Sequence, residues 1–251
     1  MTIHSSADLD ALLDFNAPAA TEARLRALLP DVLPALRPEV LTQIARAQGL
    51  QRRFAAAHHT LDAVEPRLDG APVRARIRLL LERGRVYNSS GNPVTARPAF
   101  EAALALAESD PAEAFYAIDA AHMLAIVAPP AEALAWNRRA LALAEAAEEP
   151  RARRWRGSLL NNIGWAYQAQ GDYAAAERLF AAASATFRAI GPGALVWFLG
   201  LLGLAQVSQG KLAAGRACAS ELATLAAALP TDTIPTAAVT AYLAMIALAL
   251  G

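Results

Sequence analysis

The chain has 251 residues, 55% of them hydrophobic and 18% charged, and its 23 basic side chains balance 23 acidic ones. That length fits one large domain or two small ones with a sizeable core, and zero net charge excludes a global pull towards nucleic acid or anionic membranes. The single cysteine, Cys218, excludes an internal disulfide and a cysteine-based zinc site, and it fits a reducing, cytoplasmic setting.

In chain order, the opening "MTIHSSADLDALLDF" has no basic stretch ahead of an apolar run, so no secretory signal is expected. Residues 1–37 read as capping helices, with Ser5 or Ser6 and Thr21 as the N-caps. From 38 to 228, helix-length segments rich in Ala, Leu, Arg and Glu alternate with proline and glycine clusters such as "LDGAPV", "SSGNP", "EEP" and "IGPG". Such clusters end one helix and begin the next. Two late apolar segments, "GALVWFLGLLGLAQV" from Gly193 and "AAVTAYLAMIALALG" from Ala237, fall short of the ~20 residues a membrane span needs, so both are expected to be buried helices. The second occupies residues 236–251, has almost no polar face, and is expected either to fold back or to dimerise with a second copy. The fold class expected is all-α.

An internal ruler supports this. Gly164 is followed by Tyr167, Gly171, Ala176, Phe180 and Ala183, and the same offsets recur from Gly84 in Tyr87, Gly91, Ala96, Phe100 and Ala103. Weaker copies start at Ala121 (Leu124, Ala133, Asn137, Ala140), at Gly203 (Gln206, Gly210, Gly215, Ala219, Leu222) and at Ala45 (Gln48, Ala57, Leu61, Val64). The five anchors are 39, 37, 43 and 39 residues apart, a recurrence that marks a helical solenoid. Small residues on both helices of each pair let them approach closely, the aromatic one turn on fills the adjoining space, and the glycine ends the first helix in the left-handed conformation. Phe180 and Ala183 are expected to face the next pair, so that each hairpin is covered by its neighbour.

The order Leu160, Ile163–Gly164, Tyr167, Gly171, Ala176, Phe180, Ala183 resembles the tetratricopeptide repeat family, although the period here is near 40 and not the usual 34. Longer helices, as in the kinesin-light-chain-like and bacterial regulator branches of that family, would account for the difference. HEAT-type repeats are the alternative at this period. The resemblance implies a right-handed α-solenoid of about five hairpins, at about 38–68, 73–109, 111–148, 151–190 and 194–228, flanked by capping helices.

It also implies a concave groove lined by the first helices. Position by position, the lining comprises Arg46; Arg78, Arg85 and Asn88; Asp119 and His122; Asn161, Asn162, Trp165 and Gln168; and Trp197. Asn162 in "LNNIG" resembles asparagines that hydrogen-bond a bound peptide's backbone, the arginines would suit a ligand carboxylate, and the tryptophans would be apolar anchors. The competing reading is that the asparagines bond neighbouring turns and the tryptophans are core. The "RARRWR" run, Arg151 to Arg156, reads as a face paired with Glu145, Glu148 and Glu149, which makes nucleic-acid binding a minor reading. Adjacent His58 and His59 diverge on a helix and make a poor metal pair, Cys218 reads as a small buried hydrophobe, and no nucleophile elbow or phosphate loop is present. The function expected is therefore a non-enzymatic scaffold, without metal or cofactor, that binds a protein or peptide segment. A ligand-responsive regulatory module and a self-assembling protein are the alternatives.

Overall fold

The computed structural model describes residues 3–188, 192–229 and 236–250. The chain divides into two compact units, Met1–Leu143 and Ala144–Gly251, and every regular element among the described residues is helical.

In the first unit, α1 (Ser6–Ala11) is capped by Ser5, whose hydroxyl accepts from the Asp8 amide at 3.2 Å. Thr21 does not cap. It lies inside α2 (Pro18–Leu28), which starts at Pro18, a residue whose fixed φ and missing N–H suit a first helical position. The Thr21 hydroxyl instead donates to the Asp14 carbonyl at 2.9 Å. Then come α3 (Arg37–Leu50) with α4 (Phe54–Val64), α5 (Val73–Ser89) with α6 (Pro93–Glu108), and α7 (Ala114–Val127) followed by α8 (Pro130–Ala146). Helix α3 packs on α4 and α5, and α6 packs on α5 and α7, so each hairpin covers the next. Leu9, Leu25, Val40 and Ile44 join α1 and α2 to the first hairpin, and Ala57, Leu61, Leu79 and Val86 join that hairpin to the second. Glu22 of α2 reinforces the first junction, since its carboxylate accepts from Gln48 at 3.1 Å, Gln51 at 2.7 Å and Arg53 at 2.9 Å.

The second unit holds the short α9 (Pro150–Arg153), then α10 (Trp155–Ala169) with α11 (Tyr173–Arg188), α12 (Pro192–Val207) with α13 (Leu212–Ala228), and α14 (Thr236–Leu250). Helix α12 packs on α11, α13 and α14. The last helix folds back: Val239 and Ile246 are buried, and Tyr242 and Ile246 cover Gly200 and Gly203 of α12. Its other side exposes Met245 and Leu248.

Four hairpins share one turn. The amide five residues on bonds the carbonyl of Gln48, Tyr87, Tyr167 or Gln206, at 2.9, 2.9, 3.0 and 3.0 Å, as in a Schellman C-cap. The left-handed residue is Gly91, Gly171 or Gly210 in three of them and Arg52, with φ 60°, in the first. The small-residue rule has a direct cause. A Cβ on Gly84 would meet the Phe100 ring at 2.5 Å, and one on Gly164 would meet the Phe180 ring at 2.6 Å. Phe180 thus covers its own hairpin's glycine as well as packing with Leu201 and Ala205 of the next helix.

Candidate binding faces on the first helices

Within the first unit, charged side chains on α3, α5 and α7 meet in a row. Arg46 pairs with Glu82 at 3.1 Å, Glu82 pairs with Arg85 at 2.7 Å, and Arg85 holds both carboxylate oxygens of Asp119. The acids are buried, and the four formal charges cancel. Burial pushes the Asp119 carboxyl up, but the Arg85 guanidinium, with smaller help from Arg46 and His122, outweighs it and holds the group below the usual carboxylate range. Burial also keeps the His122 imidazole below its ordinary value, against the opposite pull of Asp119.

A cleft of about 210 Å³ opens beside this row, lined by Arg46, Glu82 and Arg85 together with Gly49, Leu50, Val86, Ser89 and Met123. Two of the expected groove arginines are therefore on one cleft, but their charge is already matched from within the chain. Glu82, the residue that matches it, is absent from the expected lining. Its spacing of three from Arg85 on one helix is the signal that points to it.

Arg78 belongs elsewhere. It is 2% exposed and pairs with Asp10 at 2.8 Å and Glu39 at 3.2 Å, with the Tyr116 ring 5.2 Å from its guanidinium carbon. That is a tie between α1, α3, α5 and α7, and it takes Arg78 off any exposed groove. Asn88 stands half-buried one turn beyond Arg85 on α5.

In the second unit, Asn161, Trp165 and Gln168 fall at i, i+4 and i+7 of α10 and so share one stripe. Trp165 is 45% exposed, with its ring edge-on to Phe180 at 6.1 Å. The Oδ1 of Asn161 and the Oε1 of Gln168 are enclosed and accept no hydrogen bond. Asn162, the residue expected to contact a peptide, is offset from this stripe and its Oδ1 lies 3.5 Å from the Asn161 amide nitrogen. The Trp197 side chain lies outside the described residues, although its backbone is part of α12.

Elsewhere, Arg156 of the basic run bonds Glu145 at 3.3 Å and Thr186 at 3.0 Å, and Arg153 donates to the Ala147 carbonyl at 2.6 Å. Cys218 is buried, with its thiol raised by burial first and by nearby carboxylates second. Among the described residues, no group of three His, Cys, Asp or Glu side chains is placed to hold a metal ion, and no helix is long and apolar enough to cross a membrane.

Residues 157–190, which span most of α10 and α11, match the family model described as Tetratricopeptide repeat. A search of curated proteins gives no match. Among solved structures, BtubC (BKLC) from P. vanneervenii is 15% identical with a TM-score of 0.67, over 88% of this chain and 91% of that one. The apo form of the quorum sensor NprR from B. thuringiensis is 16% identical with a TM-score of 0.67, over 94% of this chain and 64% of that one. A Rap protein complexed with Competence and Sporulation Factor is 18% identical with a TM-score of 0.64, over 97% of this chain and 67% of that one. At these identities the likeness is one of fold, and it is a helical-repeat fold throughout.

Proposed function

We propose that this chain, built from tetratricopeptide-type hairpins, is a non-catalytic receptor that holds a peptide or protein segment on the exposed stripe of α10. One observation carries the reading: two enclosed amide oxygens, Asn161 Oδ1 and Gln168 Oε1, flank a half-exposed tryptophan with no donor of their own. Buried polar atoms are normally paired, and a turn of each amide side chain would bring its oxygen out to the backbone N–H groups of an extended segment lying along α10 while a side chain packs on Trp165. The preformed helix keeps the ordering cost on the receptor side small.

The arginines of the first unit have a different part in this reading. Because Arg46 and Arg85 are neutralised by Glu82 and Asp119, the nearby cleft suits an uncharged side chain on Leu50, Val86 and Met123 better than a carboxylate. A sensory role is in keeping with the fold likeness to a quorum sensor and to a protein solved with Competence and Sporulation Factor. We place the activity in the cytoplasm, without a cofactor.

The test is selection of binders from a random peptide library on the full chain, followed by calorimetric titration of the best peptide. Loss of ten-fold or more in affinity in both Asn161→Ala and Trp165→Ala, with unchanged circular dichroism, is the expected result. Undiminished binding by both variants removes the assignment. A second reading, homodimerisation through α14, rests on exposed Met245 and Leu248. It predicts a dimer in light scattering that Leu248→Glu converts to monomer, and a monomeric wild type ends it.

A further inference from the structure

A second cavity lies on the first unit away from the faces described above. It measures about 420 Å³, and its apolar wall is Leu29, Pro30, Leu41 and Ala63. Three arginines stand around that wall: Arg26, Arg37 and Arg67. Volumes of roughly 300–1,000 Å³ with apolar walls and few polar groups are typical of small-molecule sites.

The pairing of these arginines sets the chemistry. Arg26 is matched by Glu22 at 3.0 Å. Arg37 and Arg67 make no ion pair among the described residues, whereas Arg46, Arg74, Arg78, Arg83 and Arg85 of the same unit each meet a carboxylate. Their guanidinium groups are held by backbone carbonyls instead. Arg37 donates Nε to Val32 and Nη2 to Pro30, both at 3.1 Å, and Arg67 donates Nη1 to the Ala63 carbonyl. These bonds fix direction without cancelling charge, and each guanidinium keeps N–H donors over, since arginine has five. Arg37 is also the first residue of α3, where a cation opposes the helix dipole. A positive charge placed there meets carbonyl oxygens but no carboxylate among the described residues.

We propose that this cavity binds a small amphiphilic carboxylate. Its head would be taken by Arg37 and Arg67, whose planar forks match a carboxylate, and its single apolar chain would lie on Leu29, Pro30, Leu41 and Ala63. This site is independent of the α10 stripe, and either assignment stands if the other fails.

Decanoate, kept below its micellar concentration, is the probe for calorimetric titration of the full chain. Saturable one-to-one binding is expected. It should weaken at least ten-fold in the Arg37→Gln, Arg67→Gln double variant and remain within two-fold in Asn161→Ala. Both arginines are exposed, and circular dichroism checks the variant. If the pair unfolds, Arg67→Gln alone must show the loss. No saturable decanoate binding, or equal binding by the double variant, overturns the proposal. Equal affinity for decanol overturns the role of the arginines, and equal affinity for acetate overturns that of the apolar wall. Arginine-dependent flotation with phosphatidylglycerol vesicles, without decanoate binding in solution, would replace the free ligand with a membrane surface and overturn it as well.

Discussion

Gly164 and Phe180 are complementary partners: the ring of one occupies the place where a side chain on the other would stand, with 2.6 Å between the absent Cβ and the nearest ring atom. The same relation joins Gly84 and Phe100 at 2.5 Å. Both rings are almost wholly buried, so neither can retreat cheaply. Gly164→Ala should cost about 1–3 kcal/mol by overpacking, even though alanine is the better helix former. Adding Phe180→Leu should recover part of that loss. Urea unfolding followed by tryptophan fluorescence checks both, and a Gly164→Ala variant as stable as the parent would contradict the packing argument.

Arg52 supports the opposite substitution. It occupies, at φ 60°, the turn position that Gly91, Gly171 and Gly210 take in the other hairpins. Left-handed backbone costs a side-chain-bearing residue roughly 1–2 kcal/mol, part of which glycine returns as extra freedom of the unfolded chain. Arg52→Gly should therefore raise stability by about 0.5–1 kcal/mol, visible as a higher thermal midpoint. Arg52→Val should lower it.

Acid should weaken the first unit in two stages. The His122 imidazole is depressed in the fold, so its contribution is complete above the unfolded value of ~6.5 and is lost as the pH falls below it. The Asp119 carboxyl is depressed too, so the Arg85 pair is intact above ~4 and fails as the pH drops through the lower folded value. Urea midpoints between pH 3 and 8 should show both slopes. His122→Gln should flatten the first. Asp119→Asn should flatten the second, at a cost near 3 kcal/mol at neutral pH from the guanidinium left short of a partner.

On α10, binding and stability should separate. Replacing Gln168 by Met, of similar shape, removes an enclosed oxygen that has no donor. The free protein should then be unchanged or steadier by up to about 1 kcal/mol, while affinity for a selected peptide falls. A large loss of stability would instead mark Gln168 as structural.

The hairpins anchored at Gly84 and Gly164 were plain in the sequence because glycine and phenylalanine there answer a steric demand no other pair meets so simply. The one anchored at Ala45 was faint because Arg52 stands where glycine signals the turn, although the backbone bond from Arg53 to Gln48 is the same. The one at Ala121 lacks that signal because α7 leaves through Ala128 in extended conformation and α8 starts at Pro130. The candidate lining was legible only as a set of positions. Arg78, Arg85 and Arg46 looked available because their partners Asp10, Asp119 and Glu82 lie 68, 34 and 36 residues away in sequence. The last two separations approach one repeat, so charges of opposite sign a repeat apart are the clue that a list of arginines leaves out.

The row Arg46, Glu82, Arg85, Asp119 also has a mechanical meaning. It ties α3 to α5 and α5 to α7 with links that are short and directional and whose carboxylates are buried, so twisting one of these helices against the next must strain a bond before it moves a side chain. The first unit is stiff along that face, like a beam with cross-bracing. The α10 stripe, by contrast, carries an aromatic ring and two idle amide oxygens. In the proposed binding mode, those two oxygens are the groups a ligand's own bonds would engage.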